Sequence, residues 1–257
     1  MNLGLNIDHI ATLREARKIN DPDPLEAVFI AKNAGANQIT IHLREDRRHI
    51  HESDVKRIIE SSILPINVEC ACDENIIAFL CEQKPHKITL VPEKREEITT
   101  EGGLNLNQKG LKDIIKEFQK YQIQVTTFID PKKETISISK DLGVDAVELH
   151  TGEYANLHAM IYSNLSRHKN SIKSLQLKRD VLNSLLQESL NNLKICSSLA
   201  QKLSLGVFAG HGLNYFNVSP IVKIDPITEL NIGQSIIARS IFTGLDQAIK
   251  EMLRLMR

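Results

Sequence analysis

A chain of 257 residues that is 42% hydrophobic and 25% charged can bury a full core, which excludes a disulfide-stapled mini-protein and a disordered tail. Lys+Arg and Asp+Glu each number 32, so no overall basic field exists to hold a polyanion. Nucleic-acid binding is therefore not expected, and at most a local basic pocket for phosphate remains.

Leu3 to Ile7 is the first of eight short apolar runs, many of them β-branched. A helical pattern from Pro24 to Ala34, closed by Asn33-Ala34-Gly35, leads to the second run, Gln38 to Ile41. Pro65 to Val68 follows, then a helical pattern from Asp73 to Gln83 and the run Lys87 to Val91. The pattern Lys109 to Tyr121 precedes Gln124 to Ile129, and Asp141-Leu142-Gly143 closes a helix before Ala146 to Leu149. Leu205 to Ala209, Glu229 to Ile232 and a helical pattern from Ser235 to Met256 complete the chain. Such alternation predicts parallel strands joined by crossover helices. Eight units at this length match a TIM (β/α)8 barrel, for which about 250 residues is typical. A doubly wound open sheet is the alternative, but it needs fewer strands, and Gly210-His211-Gly212-Leu213-Asn214-Tyr215 lacks the last glycine of a dinucleotide fingerprint. With no linker or composition break, residues 1–257 are expected to form one barrel domain.

One stretch is too long for the scheme. From Ala155 to Leu203 the chain has neither Gly nor Pro, and Leu182, Leu186, Leu190, Leu193, Ala200 and Leu203 form a helical stripe. An average helix needs roughly a dozen residues, so at least two are expected between strands six and seven. They form either a hairpin on the barrel flank, or an oligomer contact or active-site cover.

In a barrel the strand C-termini converge on one face, and nearly every run here ends in polar residues. The ends carry Asn6, Asp8 and His9; His42 and Arg44; Glu69; Glu93 and the Thr99-Thr100-Glu101 loop; Asp130; His150 and Thr151; Gly210-His211-Gly212; and Asn231 with Gly233. Asp130-Pro131 and Asn231 can be explained as turn formers. Glu69 ends a buried-looking strand and requires a partner or a function. His42 can be a satisfied rim histidine or a catalyst, His9 can pair locally with Asp8, and His150 can cap a turn. The Arg44-Glu45-Asp46-Arg47-Arg48-His49 run is either a solvated loop or a source of guanidinium for phosphate. Gly210-His211-Gly212 and Gly233-Gln234-Ser235 offer backbone N–H groups to an anion at the usual barrel phosphate position. Two anion sites on one face imply two phosphorylated substrates or one bisphosphate. Barrel metal sites commonly use H-x-H on strand one; adjacent Asp8 and His9 point apart, and no carboxylate cluster is legible, so no metal is expected. Cys70 and Cys72 are expected to be buried apolar neighbours. The other two cysteines, Cys81 and Cys196, make neither a disulfide framework nor a zinc spacing, and Met1 to His9 carries no basic segment or long apolar run. A reduced, cytoplasmic protein without a membrane contact is expected.

These segments resemble the pyridoxine 5′-phosphate synthases of the deoxyxylulose-dependent vitamin B6 pathway. The resemblance is carried by Asn6-Ile7-Asp8-His9-Ile10-Ala11-Thr12-Leu13-Arg14, by His42 through Ile50, by Leu90 through Arg95, by Thr99 through Leu104, by Glu148-Leu149-His150-Thr151-Gly152, by Ala209 through Leu213, and by Glu229 through Gly233. It implies a condensation of 1-deoxy-D-xylulose 5-phosphate with 3-amino-2-oxopropyl phosphate that uses neither metal nor cofactor. By resemblance His42 and Glu69 are general bases and His211 is the proton donor. Asp8, His9, Arg44, His49 and Thr99 match contacts to the deoxyxylulose phosphate. Asn6, Arg17, Gly212, Gly233 and Gln234 match contacts to the aminoketone phosphate. The family usually has histidine where this chain has Gln234, and Asn67-Val68-Glu69-Cys70-Ala71 departs from Asn-Leu-Glu-Met but keeps the glutamate. The stretch from Ala155 to Leu203 is longer than the family pattern. The resemblance further implies a homo-octamer. A phosphosugar isomerase or epimerase on the same barrel, with one phosphate site, is the competing enzyme; a scaffold acting through the leucine stripe is the competing non-enzyme.

Overall fold

The computed structural model describes residues 1–93 and 102–257. β1 (Asn2–Asn6), α1 (Asp8–Glu15), α2 (Pro24–Ala34), β2 (Gln38–His42), α3 (Glu52–Ser61), β3 (Ile66–Cys70), α4 (Glu74–Gln83) and β4 (Lys87–Leu90) come first. They are followed by α5 (Leu111–Lys120), β5 (Gln124–Ile129), α6 (Lys133–Leu142), β6 (Ala146–His150), α7 (Gly152–Tyr162), α8 (Arg179–Lys202), β7 (Gly206–Gly210), α9 (Val218–Val222), β8 (Glu229–Ile232), α10 (Gln234–Thr243) and α11 (Leu245–Leu255). The strands pair in parallel in chain order, and β8 returns to β1 to close the barrel. All eight expected strands are present, and none is displaced.

Local chemistry sets the helix ends. Asp23 accepts the Leu25 N–H with Pro24 in the first turn of α2, and Asp73 caps α4 by accepting from Asn75 and Ile76; such caps contribute about 1 kcal/mol each. Gly35 and Gly143, both at positive φ, close α2 and α6 as their sequence positions predict. The pattern from Ser235 to Met256 is not one helix. Gly244, at φ +79°, breaks it into α10 and α11.

Strand alternation divides the barrel into two unlike surfaces. Leu3, Leu5, Ile39, Ile41, Ile66, Val68, Ile88 and Leu90 are fully buried in the apolar core with the helices. Their alternating neighbours Gln38, Thr40, Asn67, Lys87, Thr89, Glu148, Glu229 and Asn231 hydrogen-bond to one another inside the barrel. Barrel interiors are more often layers of Val, Ile and Leu, and this polar filling was not anticipated from the sequence.

The long stretch folds as expected into two helices. α8 buries Leu182, Leu186, Leu193 and Ala200, with Leu190 and Leu203 partly buried, against α6, α7 and β7. Between α7 and α8 lie two single 3-10 turns, Leu165–Arg167 and Lys173–Leu175. The helices cover the flank, while the turns between them reach the rim of the barrel. No helix among the described residues is long and apolar enough to cross a membrane.

Candidate active site

A cavity of about 390 Å³ opens at the C-terminal rim of the barrel. Asn6, His9, Glu69, Glu148, His211, Gly212, Gly233 and Gln234 line it. Asp8 and His42 stand behind this lining as its frame. Asp8 and Asn6 bond reciprocally, Asn6 Nδ2 donating to Asp8 Oδ2 (2.8 Å) and Asp8 N–H to Asn6 Oδ1 (3.0 Å). The second oxygen, Asp8 Oδ1, accepts the His42 N–H at 2.8 Å. The ends of β1 and β2 are thereby locked in register.

The His42 ring is held between two carboxylates. Nε2 lies 2.8 Å from Glu93 Oε1, and Nδ1 lies 3.7 Å from Glu69 Oε2. Burial alone would raise the Glu93 carboxyl, but the His42 hydrogen bond, the Glu45 N–H and nearby Arg44 outweigh it and hold Glu93 below the usual carboxylate range. Glu69 goes the other way. Burial first, then the neighbouring Glu148, Asp8 and Glu93 carboxylates, push it well above that range. Glu148 is raised to about 7 by burial, with Lys87 opposing and Glu229 adding to the shift.

His211 sits on left-handed backbone, φ +81°, where Thr151 Oγ1 donates to the carbonyls of Gly210 (2.7 Å) and His211 (2.6 Å). Burial, then the adjacent His150, lower its imidazole to about 4. Gly233 precedes α10; its carbonyl accepts the Ile236 and Ile237 N–H groups, which leaves those of Gln234 and Ser235, two residues that line the cavity, for an anion. A Cβ at Gly233 would meet Asn6 at 2.8 Å, so only glycine lets this turn approach β1.

Arg44 and His49 form the adjoining side. Arg44 is 5% exposed, and its Nε has no hydrogen-bond partner among the described residues; Asp46 Oδ1 is 3.6 Å away. The His49 ring lies 6.2 Å from that of His42, with Nδ1 accepting the Ile50 N–H. Arg17 is not brought to the cavity. It is exposed in the turn after α1. Thr99 lies outside the described residues.

The sequence expectation of no carboxylate cluster is corrected. Asp8, Glu69, Glu93 and Glu148 converge because each occupies an inward position or a strand end at the same rim. Asp8, His42 and Glu69 bring possible ligand atoms within 4.8 Å of one another. Both Asp8 oxygens and His42 Nε2 are, however, already hydrogen-bonded within the chain, which suits a proton-handling cluster better than a cation cage. Glu93 and Glu148 were absent from the expected site. Glu148 lies two residues before His150 on β6, on the same inward face, but between Val147 and Leu149 it reads as part of an apolar run.

Residues 3–257 match the family model described as Pyridoxal phosphate biosynthesis protein PdxJ. The chain is 60% identical to the pyridoxine 5′-phosphate synthase of Wolinella succinogenes over 258 residues, covering 100% of this chain and 98% of that one. It is 59% identical to the enzyme of the same name from Helicobacter hepaticus, covering 98% and 97%. Alignments this complete leave no room for a large insertion, so the long segment before β7 is shared with these relatives. Among solved structures, 3-hexulose-6-phosphate synthase matches at 12% identity and TM-score 0.62, covering 100% of both chains. Phosphoribosyl anthranilate isomerase from Thermus thermophilus matches at 10% and 0.54, covering 99% of this chain and 98% of that one. These two likenesses concern the fold alone.

Proposed function

The chain belongs to the PdxJ family of pyridoxal phosphate biosynthesis proteins, and from that premise we propose how its rim performs the family's chemistry. The protein is a pyridoxine 5′-phosphate synthase. It condenses 1-deoxy-D-xylulose 5-phosphate with 3-amino-2-oxopropyl phosphate to pyridoxine 5′-phosphate, phosphate and water. The observation that carries this reading is the convergence, in a chain 60% identical to a named synthase, of a His42–Glu69 pair and the α10 N-terminus on one rim.

The aminoketone phosphate is held by the N–H groups of α10 together with Gly212, Gly233 and Asn6, and contact through the Gln234 backbone is indifferent to its side chain. Arg44 and His49, with Asp8 and His9, hold the deoxyxylulose phosphate; Arg44 Nε, which has no hydrogen-bond partner among the described residues, is a ready donor to it. The amine attacks the sugar ketone only when neutral, so a base must first accept its proton. Glu93 accepts from His42 Nε2–H, which leaves the Nδ1 lone pair facing Glu69. An incoming ammonium group favours the ionised form of Glu69, whose raised proton affinity then suits it both to take a proton and to return one. Imine formation, enolisation, phosphate loss, water addition and loss, and ring closure each need such an exchange.

His211 supplies protons to departing groups. Burial and His150 lower its imidazole to about 4, and a dianionic phosphate at the α10 N-terminus favours its protonation.

Arg17 is exposed and flanked by Leu13 and Ile19, 58% and 53% exposed. A homo-oligomer, octameric as the resemblance implies, that covers this apolar end and turns Arg17 toward a neighbouring copy's substrate accounts for both features. Light scattering that shows a monomer at assay concentration removes this part of the proposal. We read residues 1–257 as one domain, and the four free thiols support a cytoplasmic location.

The test is to incubate the purified, metal-stripped protein with both phosphorylated substrates and to detect pyridoxine 5′-phosphate by mass, with Glu69→Gln alongside. Product from the unaltered chain alone is expected. Equal product from both proteins overturns the role of Glu69.

A further inference from the structure

The His211 ring forms part of the wall between two cavities. On one side is the substrate cavity; on the other is a chamber of about 820 Å³ that His211 also lines. Its far walls are Leu165, Ile172 and Leu175, from the segment between α7 and α8. Its polar lining includes Asp130, Lys132, Glu153 and His150. The long segment that a barrel does not need thus borders a solvent-open space behind the proposed proton donor.

His150 occupies the wall beside His211. Its ring is edge-on to that of His211, with centroids 4.9 Å apart and planes at 68°. Its side chain is 11% exposed, and Nδ1 lies 3.4 Å from Asp130 Oδ1. Asp130 is itself fixed by the Gly103 N–H at 3.0 Å. An imidazole with Nδ1–H on a carboxylate presents Nε2 as the exchangeable position. His150 Nε2 is buried and has no hydrogen-bond partner among the described residues, a costly state that calls for an explanation. The contact is built around Gly152. A Cβ there would overlap His150 Nε2 and would stand 3.1 Å from His211 Cδ2, so any other residue would fill the gap between the two rings.

We propose that His150 recharges His211 with protons drawn from the second chamber, as the middle member of an Asp130–His150–His211 relay through the wall. The inference rests on the assignment of His211 as proton donor. After His211 has given its proton to a departing group, its ring is neutral and the substrate side is filled by the adduct. The Nε2–H bond of protonated His150 then breaks as an N–H bond forms on His211. His150 is left neutral, with Nδ1–H still on Asp130, and its buried Nε2 regains a proton from solvent when the ring swings toward the chamber that His150 lines. No electrons change hands, and the sum is one proton moved from chamber to active site. Thr151 pins the His211 backbone, so the transfer needs only rotation of the His211 side chain. Because His150 acts through His211, it is a positioning residue and not a catalytic one.

The experiment compares kcat, KM and the deuterium solvent isotope effect on kcat for the unaltered enzyme, His211→Asn, His150→Ala and Asp130→Asn, with and without added imidazole. His150→Ala is expected to lower kcat roughly 10- to 100-fold with both KM values within about twofold. Its isotope effect should rise, and free imidazole should restore much of the rate. Asp130→Asn keeps an acceptor for the Gly103 N–H and should lower kcat with the ring still present. Unchanged kcat and isotope effect in His150→Ala overturn the relay, as does a loss that imidazole does not repair and that KM follows. If His150→Ala does not fold, Asp130→Asn decides: unchanged kcat overturns the relay, and a lowered kcat with a raised isotope effect supports it. Full activity in His211→Asn removes the donor assignment itself, a failure distinct from that of the relay.

Discussion

The floor of the barrel and its rim hold the same kinds of side chain in opposite conditions. On the floor, Lys87 Nζ meets Glu229 Oε1 at 2.7 Å and lies 3.9 Å from the centroid of the Phe208 ring. Gln38 donates to Glu229, Thr40 to Asn231, Asn231 to Glu148 and Thr89 to Asn67. Among the described residues only Thr126 Oγ1 is left without a hydrogen-bond partner there. At the rim, Arg44 Nε and His150 Nε2 are buried without a hydrogen-bond partner among the described residues, and Glu69 faces His42 at 3.7 Å. Closed networks fix a shape, whereas open groups wait for a ligand or a proton. The difference separates residues that hold the barrel together from those that act in it.

That division can be broken most directly at the rim. Glu69→Gln and His42→Ala should each reduce kcat by about 10³-fold or more, toward the upper range for lost general acid–base catalysis. Glu69→Gln should leave Tm unchanged or raise it, because burial already disfavours the charged form of Glu69. Steady-state kinetics and a thermal melt on the same preparation decide, and a collapsed melt would move Glu69 to the structural side. On the floor the expectation reverses. Lys87→Met leaves Glu229 buried without its cation and should destabilise the fold by about 3–5 kcal/mol. At roughly 2–4 °C per kcal/mol for a chain of this size, the melt should fall by about 6–20 °C. A Tm within about 2 °C of the unaltered protein would show that the pair is dispensable.

How far this division could be read from sequence depends on what each residue neighbours. The eight strands were legible because each is a short apolar run, and the helix ends at Gly35 and Gly143 because positive φ selects glycine. His42, Glu69 and His211 were legible because they follow such runs immediately. Glu148 and Lys87 were not, since they lie within strands whose apolar neighbours dominate the pattern, and their partners Asn231 and Glu229 are distant in sequence. Arg17 was carried to the site by resemblance alone, and its exposed position in the turn after α1 lies away from this cavity, because a motif fixes order along the chain and not where a side chain points.

Glu148 straddles the two regions, bonded to the floor through Asn231 and lining the substrate cavity. Its carboxyl, raised from 4.5 to about 7, gives a signed dependence on pH. Below about 4.5 it is protonated in both the folded and unfolded chains and contributes nothing. Between about 4.5 and 7 the unfolded chain ionises it first, so the folded state loses stability as pH rises through that window. Denaturant midpoints of Glu148→Gln should therefore lack this decline. His211, lowered to about 4, contributes the opposite slope between its ordinary value of 6.5 and about 4, losing stability as pH falls. The unaltered chain and the variant must therefore be compared at each pH, because the difference isolates Glu148. Parallel curves would show that the Glu148 carboxyl is ionised in both states across the window.

The smallest effect is expected where the family pattern is broken. Gln234 is exposed at the first position of α10, and among its groups the N–H is the one fixed to face the anion by helix geometry. Gln234→His restores the usual residue and leaves that N–H in place. If phosphate is held by backbone alone, kcat/KM for the aminoketone phosphate should change by less than about tenfold, or about 1.4 kcal/mol. An imidazole there would be a second titratable ring near His211, so the measurement should be made at two pH values, one below and one above the ordinary histidine range. A small, pH-independent change keeps position 234 as a backbone contact. A larger change that grows toward low pH would mean that imidazolium charge acts on the phosphate, and that this chain has shifted part of its anion binding to the Arg44 side.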